Sequence, residues 1–179
     1  MKSIRYIALF CFFAVNCYGQ TNGAVKVKED DSRSSARFLM RTEQLTLTAA
    51  TQLTDLAREK ASLLGKHVSI AVLDANGQII IISRGEGVGV HNTEAARRKA
   101  FTAASTKTAT LILSRNARSS PDTENLASLP ELLLLGGGVP IYHNGKVIGA
   151  IGVAGGGSPE NDDLIGRSAS MPWVDIISR

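Results

Sequence analysis

The sequence predicts a single α+β domain, with a mainly antiparallel sheet of about five strands flanked by helices. Two segments, near 45–64 and 92–113, repeat apolar residues at three- and four-residue steps, the helical period. Two pairs of β-rich runs, at 67–83 and 139–153, are joined by the turn sequences Asp74-Ala75-Asn76-Gly77 and Asn144-Gly145. Strands joined by such tight turns pair antiparallel, whereas a doubly wound parallel sheet needs a helix between successive strands. The chain has 179 residues, 44% hydrophobic and 20% charged, which suits one globular domain and excludes wholesale disorder. The formal charge of +4 is mild, and no nucleic-acid partner is expected.

The elements follow in order. Lys2 and Arg5 precede the apolar run Ile7–Val15, and Cys17 and Gly19 are small residues at positions −3 and −1 of a cut before Gln20. This is the layout of a cleaved export signal over residues 1–19. The apolar run is too short to span a bilayer, so a membrane anchor is the weaker reading. A lipoprotein cut before Cys17 is the other alternative, against which Asn16 counts. Removing 19 residues leaves 160, with 18 basic against 16 acidic side chains. Both cysteines, Cys11 and Cys17, leave with the signal, so thiolate ligands, cysteine nucleophiles and disulfide staples are excluded. The expected destination is periplasmic or extracellular.

Residues 20–44 are polar and read as a flexible leader, with the folded domain at 45–179. A helix follows, with Thr46 or Thr48 as cap and Gly65 at its end. Val68, Ile70 and Val72 alternate into a first strand. Gln78–Ser83 returns as an isoleucine-rich strand, expected to be central and covered on both faces. The second helix is expected over 92–113, capped by Asn92 or Thr93, with a stripe of Ala96, Ala100, Ala103 and Ala104 facing the sheet or another chain. A loop with a short helix near Thr123–Ala127 comes next. Leu132–Leu135 reads as a short strand, followed by the Asn144-Gly145 hairpin and a last helix at about 160–170.

Chemistry-bearing candidates are few. The glycine runs Gly136-Gly137-Gly138 and Gly155-Gly156-Gly157 can cradle an anion on backbone N–H groups, or simply permit bulges and close packing. Neither a dinucleotide fingerprint nor a phosphate-binding lysine loop is present. Asp162 and Asp163 would repel a phosphate placed deep in the turn. His67, His91 and His143 have no metal-site spacing, yet imidazole is the commonest haem-iron ligand. Tyr142, Met40 and Met171 are weaker alternatives. Arg97-Arg98-Lys99 reads as a solvated face, because successive helical residues point about 100° apart. Arg84 ends an apolar strand and can bind a carboxylate or pair with Glu86. No catalytic constellation is recognisable, which favours a binding module over a hydrolase.

Five motifs in order resemble the GlcG/HbpS family: Leu45–Ala50, Val68–Gly77, Lys99–Ala103, Gly136–Ile141 and Asn144–Val153. The resemblance spans residues 45–170. It implies a compact domain with an antiparallel sheet, assembled into homo-oligomers, and includes extracellular haem-binding proteins of redox-sensing systems. Some members degrade haem; others belong to corrinoid adenosyltransferases or glycolate-utilisation operons. Arg84, Glu86, Lys99 and Thr102 fall on family motif positions, and Gly137 and Gly155 on its glycine runs. Two departures stand out: Glu86 replaces the usual aspartate, and Ala154 replaces a small serine. The resemblance therefore implies an exported haem- or tetrapyrrole-binding protein. The alternative is a small-carboxylate binder or enzyme using Arg84 and the glycine loop. Only Phe38, Phe101, Tyr142 and Trp173 remain as aromatics after signal removal. A haem pocket must then be mostly aliphatic.

Overall fold

The computed structural model describes residues 37–40 and 42–179. The export-signal segment 1–19 and most of the leader lie outside them. The chain divides into two units at Met40, and the architecture below belongs to the second.

Helix α1 spans Leu47–Leu63. Thr46 caps it, its hydroxyl accepting from the Ala49 N–H at 3.1 Å. Its buried stripe is Ala50, Leu53, Thr54, Ala57 and Ala61. At its end the Lys66 N–H donates back to the Ala61 carbonyl at 2.9 Å, with Gly65 turning the chain as expected. Strand β1 covers Ser69–Asp74 and β2 covers Ile79–Ser83. Asp74 shapes the turn between them, its carboxylate accepting from the N–H groups of Asn76 and Gln78.

Helix α2 runs from His91 to Thr106 and α3 from Thr110 to Ser119. The single helix expected over 92–113 is thus two. Lys107 sits in the left-handed region at φ 53°, and the hydroxyls of Thr106 and Thr108 bond local carbonyls. Threonine side chains that compete for backbone acceptors favour such breaks. Nor does Asn92 or Thr93 cap α2. The helix starts one residue earlier without a side-chain cap, and the Thr93 hydroxyl bonds that of Ser69 at 3.2 Å.

A 3-10 turn at Glu124–Ser128 matches the predicted short helix. Leu132–Leu135 is not a strand. It is irregular chain pinned by α2 and α3 side chains: Arg98 donates to the Leu132 carbonyl, Thr102 accepts from the Leu133 N–H and Thr110 donates to the Leu135 carbonyl. Strand β3 begins at Gly138 and ends at His143, and β4 spans Lys146–Ala154. Asn144 and Gly145 have φ of 49° and 74°, the pair of positive values that a two-residue hairpin requires. Helix α4 spans Pro159–Ser168, capped by Ser158 on the Asn161 N–H, and the fifth strand, β5, is Ile177–Ser178.

The sheet order is β2-β1-β4-β3-β5, with every neighbouring pair antiparallel. This corrects the expectation for β2. It is an edge strand, because β4 takes the other side of β1, and Ile79 and Ile82 remain exposed. Isoleucine on both faces of a strand therefore did not mean cover on both faces here.

Helices pack on both sides of the sheet. Alternate residues divide the core, as the two-residue period of a strand demands. Ile70, Val72, Val139, Ile141, Ile151 and Val153 join Leu53, Ala57 and Ile165 in the cluster that includes α1 and α4. Ala71 and Leu73 face Ala96 and Ala100 of α2. The alanine stripe is thus buried within the chain rather than offered to a second copy. Ala103 and Ala104 meet Ala150 in the same way.

Two glycines make this contact possible. A Cβ on Gly152 would overlap the Ala96 carbonyl oxygen and lie 2.6 Å from the Ala100 nitrogen. One on Gly138 would overlap the Lys99 carbonyl. Helix backbone rests almost directly on strand backbone. Gly152→Ala is therefore expected to destabilise the protein by about 3 kcal/mol, read as a lower midpoint in urea denaturation.

Candidate functional site

The close approach of α2 carries Lys99 down to the sheet. The aliphatic stem and ammonium are buried, with a side-chain exposure of 1%. Nζ donates to the Val153 carbonyl at 2.9 Å and to Asp162 Oδ2 at 2.6 Å. Asp162 stands in the first turn of α4, 8% exposed, and its other oxygen accepts from the Gly156 N–H at 2.7 Å. Gly137 leaves the room: a Cβ there would lie 2.6 Å from Asp162 Cβ and 3.2 Å from Lys99 Nζ. Burial lowers the Lys99 pKa and raises that of Asp162, and their mutual attraction opposes both shifts. The expectation of a solvated Arg97-Arg98-Lys99 face is overturned. Arg97 bridges Glu94 and Glu131, Arg98 clamps the Pro130 and Leu132 carbonyls, and Lys99 is interior. The 100° step that separates the three residues is what sends the third under the helix.

Around this pair opens a cleft of about 380 Å³, edged by His91 and Asn92 of α2, Leu135, and the loop from Ala154 to Ser158. It gathers His91, Lys99 and Gly155 from the sequence-derived candidates, with Gly137 just behind. Asn161 braces the loop by donating to the Gly156 carbonyl at 2.9 Å. The buried cation of the cleft, Lys99, is already matched by Asp162. The cleft's other polar groups include His91, Asn92 and Ser158, set among the apolar Ala95, Leu135 and Pro159.

The other candidates lie elsewhere. Arg84 donates to the Val88 carbonyl at 2.9 Å, closing the 84–88 loop, and makes no ion pair with Glu86 among the described residues. Glu86 and His67 line a second cleft of about 320 Å³ beside Arg58 and Lys66. Thr102 is fully buried, donating to the Arg98 carbonyl and accepting from the Leu133 N–H. His143 stands over a third cleft, about 280 Å³, walled by Leu45, Ala49, Ile148 and Ile176. The three histidines thus occupy three separate clefts. Among the described residues, no three His, Cys, Asp or Glu side chains are grouped to hold a metal ion.

Two partners had no sequence signal. Asp162 read as a group that repels anions, and it is the counterion of Lys99. Glu43, assigned to the leader, bonds His143: Oε2 lies 2.8 Å from Nδ1, across 100 residues of chain. That bond, with smaller Coulombic help from His143 and Lys146, lowers the Glu43 pKa.

The α+β sheet, with helices on both sides, carries three small clefts, one of them beside the Gly155–Gly157 loop, and is an architecture that can hold a small ligand. No helix among the described residues is long and apolar enough to cross a membrane. The family model described as haem degrading protein HbpS-like matches residues 45–170, and the chain belongs to that family. The Streptomyces reticuli HbpS double mutant is a similar solved structure, 38% identical, with a TM-score of 0.69 over 74% of this chain and 88% of that one. The PduOC:heme complex is 29% identical, with a TM-score of 0.66 over 75% of this chain and 97% of that one. Among curated relatives, an uncharacterized 15.0 kDa protein of Citrobacter freundii is 29% identical over 70% of this chain and 89% of its own length. The corrinoid adenosyltransferase PduO of Salmonella typhimurium is 31% identical over 63% of this chain, but the match spans only 34% of that enzyme.

The Lys99–Asp162 pair gives a stability prediction. Lys99→Met and Asp162→Asn should each cost roughly 3–5 kcal/mol, since either leaves a buried group without its counterpart. The double substitution should cost less than the sum of the two. Urea denaturation of all four proteins checks this; strict additivity would show that the pair is not coupled.

Proposed function

We propose that this chain is an exported haem-binding protein of the HbpS type, acting in haem or iron handling or redox sensing, with the tetrapyrrole seated at the His143 cleft. The observation that carries the choice of site is the environment of His143. Its ring borders a cleft whose apolar wall is aliphatic, from Leu45, Ala49, Ile148 and Ile176, with Glu43, Gln44 and Thr46 along its edge. His67 shares its cleft with Arg58, Lys66 and Glu86, and His91 stands at the polar mouth of the glycine cleft. Membership of the family and the likeness to the haem complex of PduOC support the ligand.

The residues fit the group. An imidazole supplies a nitrogen for the iron, and Leu45, Ala49, Ile148 and Ile176 offer apolar contact to a macrocycle. A space of about 280 Å³ is at the small end for such ligands, so it covers only part of the ring. A second copy of the chain covers the remainder in this reading, which makes the protein a homo-oligomer. Bound haem supplies a one-electron iron couple; the chain supplies the ligand, the apolar wall and its positioning. Export rests on the signal layout of residues 1–19.

A second reading is a small carboxylate held in the glycine cleft, favoured by the start of α4 and the backbone of Gly155–Gly157. Titration with hemin separates the two. The expected result is a Soret shift that His143→Ala abolishes and that His67→Ala and His91→Ala leave intact. Absence of any shift beyond that of a non-binding control, with thermal stabilisation by a small hydroxyacid, would favour the carboxylate.

A further inference from the structure

Glu43 lies two residues ahead of the segment matched by the family. It is nevertheless part of the third cleft, which Glu43, Gln44 and Leu45 border from one side and His143 and Ile148 from the other. The bond between Glu43 Oε2 and His143 Nδ1, 2.8 Å, determines more than position. An ionised carboxylate can only accept, so Nδ1 carries a proton, and in the neutral ring Nε2 then keeps its lone pair. That is the arrangement by which a carboxylate or carbonyl orients a metal-binding imidazole and raises its basicity.

The Asn144 amide completes the neighbourhood. Its nitrogen lies 3.3 Å from each ring nitrogen. With Nδ1 protonated, the amide N–H can donate only to Nε2, over a long contact. Asn144 is exposed at the hairpin tip, so its side chain can leave Nε2 to another partner. Two more charged groups stand near the pair: exposed Lys146, which acts on Glu43 from across the turn, and Asp175, whose carboxylate accepts from the Asn144 backbone N–H at 2.8 Å.

Building on the haem reading above, we propose that Glu43 is a positioning residue that locks His143 in the Nδ1–H tautomer and presents Nε2 as a strong donor to ferric haem iron. The segment just before α1 is then a working part of the site, and a domain cut at Leu45 would lack it. A more basic imidazole favours ferric over ferrous iron, so the Glu43 carboxylate should hold the one-electron potential down.

The test pairs Glu43→Gln with His143→Ala and Asn144→Ala in the mature chain, 20–179. In the ligand-free protein, 15N chemical shifts of the His143 ring should report the Nδ1–H tautomer, and Glu43→Gln should mix the two tautomers. With hemin, Glu43→Gln should bind about tenfold or more weakly and show a more positive midpoint potential. Asn144→Ala should bind at least as tightly as wild type, and His143→Ala should lose the ligated Soret spectrum. Glu43 and His143 are not interior, so circular dichroism should be unchanged in both variants. If wild type binds hemin but Glu43→Gln matches it in affinity and potential, the role of Glu43 is overturned while the haem reading stands. If wild type fails to bind hemin, the haem reading falls and this inference falls with it; an Nδ1–H tautomer in that case marks the pair as purely structural.

Discussion

The structure depends on one contact, the seating of α2 on the glycine-bearing strands β3 and β4. At Gly138 and Gly152 a Cβ would collide with the α2 backbone and hold helix and sheet apart. Alanines at 96, 100 and 103 then pack against the sheet. Each alanine buries little area, but close packing of many small groups gains dispersion energy that larger side chains would win through volume. The same closeness leaves the Lys99 side chain only 1% exposed. Its ammonium must end inside the protein, and the fold supplies Asp162, the Val153 carbonyl and the space at Gly137. A buried pair of this kind adds little net stability against an apolar substitute, but it is severe about partners. It ties α2, β4 and the start of α4 to one point, and so sets the shape of the Gly155–Gly157 loop.

From that frame the two ends of the sheet differ in character. The glycine cleft is mixed in character, and its buried cation is already paired. The His143 cleft, at the hairpin end, sets an aliphatic wall beside one imidazole bonded to Glu43. The domain is nearly the whole of the Streptomyces HbpS structure and about a third of the Salmonella adenosyltransferase. A fold that appears in such different settings is a scaffold whose clefts, rather than its sheet, decide what it does.

Much of the fold was legible along the chain, wherever the signal was local. Thr46, Gly65, the Asp74 turn and the Asn144-Gly145 hairpin are decided by residues within a few positions of one another, and they formed as read. The failures share one cause. The exposed edge position of β2 depends on which strand takes the far side of β1. The split of the long helix depends on threonines choosing backbone acceptors at a site where Tyr142 also bonds the Lys107 carbonyl. Leu132–Leu135 has the composition of a strand, but Arg98, Thr102 and Thr110 satisfy its backbone instead.

The candidate site divides in the same way. Residue type marked the three histidines and glycine spacing marked Gly137 and Gly155, while five ordered motifs pointed to the family and through it to Lys99. The sequence by itself thus determined the class of fold, the family and the shortage of aromatic side chains. Only the tertiary structure decided that Lys99 answers to Asp162, 63 residues away, and His143 to Glu43, 100 residues away. The reason is physical. Local order is written in periods and turns of a few residues, whereas an ion pair or an oriented imidazole is defined by a distance in space that chain position does not encode.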